Sequence, residues 1–259
     1  MGRIEDLFRK KGSRVLNIYC TAGFPQLNDT IKVLEALQNN GADIIELGMP
    51  YSDPLADGAV IQASSARAIQ NGMNIPLLFS QLEKMREKIH IPVILMGYLN
   101  PVLQYGFQKF CEQAKRVGVD GLIIPDVPVI EYEKEYRTVL EKNGLDFIFL
   151  VLPETSGDRV RKLDSLSRGF LYAVSSSSLT GSDKTFTSIE DYLKRLNQLG
   201  LKNPLLVGFG IRDHQSFETV CRYANGAIIG SAYVKAIEHT NDINATTKDF
   251  INGILNNAT

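Results

Sequence analysis

Segment 43–62, DIIELGMPYSDPLADGAVIQ, concentrates the residues best suited to chemistry. It carries four carboxyl groups, Asp43, Glu46, Asp53 and Asp57, on an apolar run that breaks into Gly48, Pro50 and Pro54. A short apolar run that dissolves into Gly and Pro reads as a buried strand feeding a loop. Glu46 lies inside that strand, on the same face as Ile44. A buried carboxylate is costly unless it is paired with an Arg or Lys of another strand, protonated, or put to use. Asp57 lies on the loop beyond. As an Asp before Gly it suits a turn or a helix N-cap. Folded back over the strand end, it would face Glu46 across one pocket. Two carboxyl groups in unlike surroundings can divide acid, base and electrostatic roles between them.

Composition removes several function classes. A formal net charge of −1 over 259 residues gives no electrostatic basis for binding nucleic acid or an acidic membrane surface. Cys20, Cys111 and Cys221 are odd in number and widely spaced, which fits neither a zinc site nor a disulfide framework and suggests a reducing compartment. His90, His214 and His239 are too scattered to predict a metal site. The charged start MGRIEDLFRKKG lacks the apolar core of a signal peptide, and no run reaches transmembrane length. The expectation is a soluble cytoplasmic protein, with residues 1–259 as a single domain.

The elements that must position the carboxyl groups follow a regular alternation. Segment 4–11 reads as a short amphipathic helix with Ile4, Leu7 and Phe8 on one face. Apolar strand-like runs follow at 15–21, 43–47, 91–96, 119–124, 146–151, 169–175, 204–208 and 226–229. Helical stretches separate them. Asn28 or Asp29 is placed to cap the first, Gly72 and Pro76 interrupt segment 61–88, Gly144 closes 130–142, and Ser156 is placed to cap 156–166. Strands rich in Ile, Leu and Val, each followed by a helix, describe an α/β protein with a parallel sheet covered by helices. Such a pattern suits a closed (β/α)8 barrel, with an extra N-terminal helix and additional C-terminal helices. An open doubly wound sheet shares the alternation, but no GxGxxG follows the first strand.

In such barrels the working groups lie at the C-terminal ends of the strands. Those ends offer Tyr19, Glu46, Met96, Tyr98, Ile123, Tyr172 and Phe209, an apolar and aromatic mouth with few carboxylates. Thr180-Gly181, the run 208–210 (GFG) and Gly230-Ser231 are small-residue clusters in the last third. Backbone N–H groups of Gly210, Gly230 and Ser231, in the loops after strands seven and eight, suit a phosphate without requiring Lys or Arg. Segment 175–187, SSSSLTGSDKTFT, reads as a polar lid or a solvated loop.

These motifs carry a resemblance. ELGMPYSDPLADG at 46–58 resembles the signature of the tryptophan synthase α subunit family. TAGFP (21–25), MGYLNP (96–101), PDVP (125–128), LTG (179–181), GFGI (208–211) and IIGSA (228–232) follow in family order. The resemblance implies a TIM barrel that cleaves indole-3-glycerol phosphate to indole and glyceraldehyde 3-phosphate. It implies Glu46 and Asp57 as the catalytic acids, Glu46 acting on indole C3 and the glycerol hydroxyl, Asp57 holding the indole N–H. It implies Tyr172 as a supporting residue that orients Glu46. Tyr19, Ile61, Met96, Tyr98, Ile123 and Phe209 would wall the indole pocket, and Gly181, Gly210, Gly230 and Ser231 would cradle phosphate. It implies no metal and no cofactor in this chain, and a pyridoxal-phosphate-dependent β subunit as partner, in an α2β2 heterotetramer. Pro50 and Asp53 would then belong to the partner interface or lid, though Asp53 before Pro54 also suits an Asx-turn.

The chain departs from the family pattern at Ala59-Val60, at Val129-Ile130, and at Ser176 and Ser178 of the lid, and both acids are kept. A lyase acting without a partner, and a non-catalytic subunit that activates one, are the competing readings.

Overall fold

The computed structural model describes residues 2–174, 186–208 and 210–256. Its strands are β1 (Val15–Thr21), β2 (Ile44–Gly48), β3 (Val93–Met96), β4 (Gly121–Ile123), β5 in two halves (Asp146–Phe147 and Leu150–Val151), β6 (Leu171–Val174), β7 (Leu205–Gly208) and β8 (Gly226–Ile229). All neighbours are parallel, in the order β5-β4-β3-β2-β1-β8-β7-β6-β5. The first half of β5 pairs with β4 and the second with β6, so one strand closes the sheet into a barrel. The uninterrupted strand expected over 146–151 is therefore split. Ile148 N–H donates to Leu122 O on one side, and Phe149 O accepts from Tyr172 N–H on the other, each at 3.0 Å.

The strands are mostly apolar because both of their faces are covered, with Asn17 in β1 and Glu46 in β2 among the buried polar exceptions. Val15, Ile44, Ile94, Ile123, Ile148, Phe170, Leu206 and Ile228 point inward and fill the lower barrel. Alternate residues such as Leu16, Ile18, Ile45, Leu47, Leu95 and Leu122 pack outward under the helices. Those helices are α1 (Arg3–Lys11), α2 (Thr30–Asn40), α3 (Ala59–Gln70), α4 (Ile75–Gln81), α5 (Leu99–Tyr105), α6 (Phe107–Arg116), α7 (129–143, with a π turn over Tyr132–Tyr136) and α8 (Gly157–Leu166). They continue with α9 (Phe186–Asn197), α10 (His214–Cys221), α11 (Ser231–Ile237) and α12 (Ile243–Leu255).

The extra N-terminal helix plugs the lower end. Ile4 is fully buried in the inner core, and the Phe8 ring stands 6.2 Å from that of Phe170. Arg3 donates to Asp120 Oδ1 at 3.0 Å, and Asp120 also receives the Arg86 guanidinium and Val93 N–H. The plug leaves the opposite end of the barrel as the open one. C-terminal α12 packs against α2 and α11.

Two expected caps are not made. Asp29 precedes α2, but its backbone at φ −90°, ψ −7° is not the extended conformation a cap requires, and its carboxylate turns to Lys32 Nζ at 2.8 Å. Ser156 precedes α8 without a side-chain cap bond. Asn74 does cap α4, and Asp213 with Ser216 forms a reciprocal capping box on α10. Gly144 closes α7 in the left-handed conformation, as its place in the sequence suggests. Among the described residues no helix is long and apolar enough to cross a membrane.

Candidate active site

A cavity of about 400 Å³ opens at the C-terminal ends of the strands. One wall carries Glu46, Asp57, Gly58, Ile61 and Met96. The far wall carries Gly208, Gly210, Gly230, Ser231, Arg212 and Lys235, and Tyr19 and Tyr172 also line the cavity.

Glu46 reaches this place because β2 alternates its side chains and Glu46 falls on the inner face. In the β1–β2 register Tyr19 stands directly opposite it. Glu46 is 1% exposed, and its bonding partner is neutral: Asn17 Nδ2 donates to Oε2 at 3.1 Å. The Arg or Lys partner considered for Glu46 is thus replaced by an amide. Oε1 has no hydrogen-bond partner among the described residues. Burial pushes the Glu46 carboxyl up to about 8, the Asn17 bond opposes the rise, and the Asp57 charge adds to it.

Asp57 is half-buried where the loop after β2 folds back over the strand end. Its N–H donates to Pro54 O at 3.0 Å. It does not cap α3, whose N-cap is Gly58 and which has no side-chain cap bond. Burial pushes its carboxyl up to about 6, against a hydrogen bond from Tyr98. Burial, reinforced by the charges of Glu46 and Asp57, also raises the Tyr19 and Tyr172 phenols well above their ordinary value.

Two glycines make room for those phenols. A Cβ at Gly48 would lie 2.0 Å from Tyr19 Oη, and one at Gly208 would lie 2.5 Å from Tyr172 Oη. Any side chain at either position would displace an aromatic ring from the cavity wall.

The fold brings together most of the residues singled out in the sequence, and moves some. Glu46, Asp57, Tyr172, Tyr19, Ile61, Met96, Gly210, Gly230 and Ser231 line one cavity. Tyr98 stands behind the wall, its hydroxyl accepting from Ala56 N–H at 3.0 Å and its ring 5.3 Å from that of Tyr51. Ile123 is fully buried in the inner core and does not line the cavity, although the register sets it beside Met96, which does. Tyr172 makes no hydrogen bond to Glu46 among the described residues; Asn17 holds that carboxyl instead. Pro50 is half-buried and Asp53 exposed on the loop away from the cavity. The Asp53 carboxylate accepts from the Ser52 hydroxyl, a contact different from that of an Asx-turn. Phe209, Gly181 and the lid over 175–185 lie outside the described residues, as do the burial and side-chain contacts of residues 186–188.

Sequence reasoning missed Asn17, Arg212 and Lys235. Asn17 had a readable signal, being a polar residue on the inner face of an otherwise apolar strand. Lys235 lies four residues after Ser231 on the same face of α11, so a cation reaches the rim of the glycine-lined wall, where the sequence reading required none. Among the described residues no group of three or more His, Cys, Asp or Glu could hold a metal ion.

A parallel (β/α)8 barrel with two displaced carboxyl groups in one cavity at its C-terminal face defines an enzyme of the barrel class. The model of the family described as tryptophan synthase alpha chain matches residues 6–256. The tryptophan synthase alpha chain of Flavobacterium johnsoniae is 50% identical over 241 residues, 93% of this chain and 95% of that protein. The one of Christiangramia forsetii is 50% identical over 245 residues, 94% and 95% of the two chains. Among solved structures, the tryptophan synthase subunit alpha of Legionella pneumophila superposes with a TM-score of 0.89 at 33% identity, covering 98% of this chain and 97% of that one. The chain belongs to the tryptophan synthase alpha chain family.

Proposed function

We propose that this chain is a carbon–carbon lyase that cleaves indole-3-glycerol phosphate to indole and glyceraldehyde 3-phosphate. The observation that carries the proposal is the pair of carboxyl groups in one cavity, one near 8 and one near 6. At neutral pH the first keeps its proton and the second is ionised. Glu46 donates its proton to indole C3, and positive charge develops at the ring nitrogen. Ionised Asp57 accepts the N–H and offsets that charge. Glu46, now a carboxylate, takes the proton of the glycerol hydroxyl beside the ring. The O–H electrons become the aldehyde carbonyl, the C–C bond breaks, and its electron pair returns to the ring as indole. Glu46 ends as it began, and general acid–base work of this kind contributes roughly two to four powers of ten in rate.

Tyr19, Ile61, Met96 and Phe209 wall the indole ring in this reading, and Tyr172 lies beside the acids. Gly181, Gly210, Gly230 and Ser231 receive the phosphate through backbone N–H groups, with Lys235 adding charge at the rim. The chain needs no cofactor. Its partner is a tryptophan synthase β subunit carrying pyridoxal phosphate, in an α2β2 heterotetramer in the cytoplasm. Support for a docking face comes from four exposed apolar residues. Leu55 (88% exposed), Leu103, Ile130 and Leu152 follow the successive strands β2, β3, β4 and β5, along one arc of the open rim. Pro50 and Asp53 share the loop of Leu55.

The test is indole release from indole-3-glycerol phosphate by wild type, Glu46→Gln and Asp57→Asn, alone and with a β subunit. Slow turnover alone, a large gain with the partner and loss in both variants are expected. Full activity of Glu46→Gln would overturn the mechanism. Fast turnover unaffected by a partner would overturn the subunit role.

A further inference from the structure

Asn17 is a fully buried polar residue in the middle of β1, on the inward face shared by Val15 and Tyr19. It stands opposite Ile44 in the parallel register, two residues before Glu46. Its Nδ2 donates to Glu46 Oε2 at 3.1 Å, while Glu46 Oε1 and Asn17 Oδ1 are both buried without a partner among the described residues. Asn17 does not line the cavity. Burying an amide under a carboxyl group is expensive unless the contact has a use.

We infer that Asn17 is a positioning residue for Glu46, pinning Oε2 so that Oε1 is the oxygen that gives and takes the proton. This rests on the acid–base role proposed above for Glu46. The carboxyl must be held alike in both protonation states. With the proton on Oε1, Oε2 is the carbonyl oxygen of the acid and still accepts from Nδ2; with the proton gone, it accepts more strongly. A Lys or Arg in place of Asn17 would hold the carboxyl ionised at neutral pH and disable it as an acid. The neutral amide fixes the geometry with a smaller electrostatic bias. The titratable groups coupled to Glu46 are Tyr19 and Cys20 from β1, Asp57 from the loop after β2 and Tyr172 from β6. From β3, Ile94 and Met96 face it without charge.

The experiment measures kcat and KM against pH for indole release by wild type, Asn17→Leu and Glu46→Gln, each checked for native circular dichroism. Asn17→Leu is expected to lower kcat by about 10- to 100-fold through loss of alignment, with KM within about threefold. Its alkaline limb is expected to move up by about one pH unit, since a hydrogen bond favouring the carboxylate is gone. Wild-type kcat and pH profile in Asn17→Leu would overturn the inference. A loss of kcat with no movement of the alkaline limb would also overturn it, because a merely structural defect leaves the proton affinity in place. If Asn17→Leu does not fold, Asn17→Ser, whose hydroxyl is too short to replace Nδ2, is judged by the same two readouts. Titration of the ¹³C-labelled Glu46 carboxyl by NMR reads the same upward shift without substrate. Retained activity in Glu46→Gln is a separate result that removes the acid–base reading itself.

Discussion

A carboxyl group held protonated by burial makes the fold more stable at low pH than at high pH, and Glu46→Gln should remove that dependence. Folding raises the Glu46 carboxyl from its ordinary 4.5 to about 8. The folded state therefore binds the proton more tightly than the unfolded chain. The stabilisation is complete below 4.5, declines as the pH rises, and is lost once the pH passes about 8. Between pH 5 and pH 9 the loss amounts to about 4 kcal/mol. A glutamine has nearly the same shape, does not ionise, and still offers Asn17 an amide oxygen. Urea unfolding of wild type and Glu46→Gln across this range isolates the effect, because every other titrating group is common to both. The difference in unfolding free energy should swing in favour of Glu46→Gln by that amount from pH 5 to pH 9, while indole release is lost. Parallel stability curves, or a variant less stable than wild type at pH 9, would refute the idea that Glu46 ionises at a cost to the fold.

The activity of the wild type should rise with pH as Asp57 ionises near 6 and fall as Glu46 loses its proton near 8, a bell seen in kcat/KM. Asp57→Asn should lower the proton affinity of Glu46, read by NMR titration of its ¹³C-labelled carboxyl, because the Asp57 charge helps hold the Glu46 proton. Gly48→Ala places a Cβ 2.0 Å from Tyr19 Oη and should lower kcat/KM at least about tenfold by moving the ring opposite Glu46, measured by steady-state indole release. Ile4→Ala, at the barrel plug and far from the open end, should lower stability by about 2–5 kcal/mol in urea unfolding while leaving turnover at pH 7 unchanged.

The barrel was legible because its strands are buried on both faces and so read as unbroken apolar runs between helices. Glu46 stood out for the converse reason, a charge where the pattern demands an aliphatic residue. Asn17 broke the same pattern in β1, yet its meaning depended on a partner 29 residues away that only the β1–β2 register supplies. Ile123 and Tyr98 were assigned to the pocket from their closeness to strand ends; in the fold Ile123 is taken up by the inner core and the Tyr98 hydroxyl by Ala56 N–H, partners that closeness to a strand end does not reveal. Asp29 and Ser156 have the right chemistry for caps, but a cap depends on local backbone angles and side-chain rotamers as well as on residue type. Lys235 was hidden because its reach into the rim follows from the docking of α11, which no local pattern encodes.

The divided β5 gives the ring a particular weak point. Each half lends two residues to a ladder on one side only, whereas β1 meets β8 over four. A closed ring cannot part at one joint without creating two raw edges at once, so its opening is cooperative and begins where the fewest bonds must be broken. That joint divides the chain into β1 to the first half of β5, which includes Glu46 and Asp57, and the second half of β5 to β8, which includes Gly210, Gly230 and Ser231. The carboxyl wall and the glycine wall of the cavity thus belong to different arms of one clasp. Substrate bridging the two walls would act as a crosslink across the seam, and slow amide exchange at Ile148 and Tyr172 would be the sign that the clasp is shut.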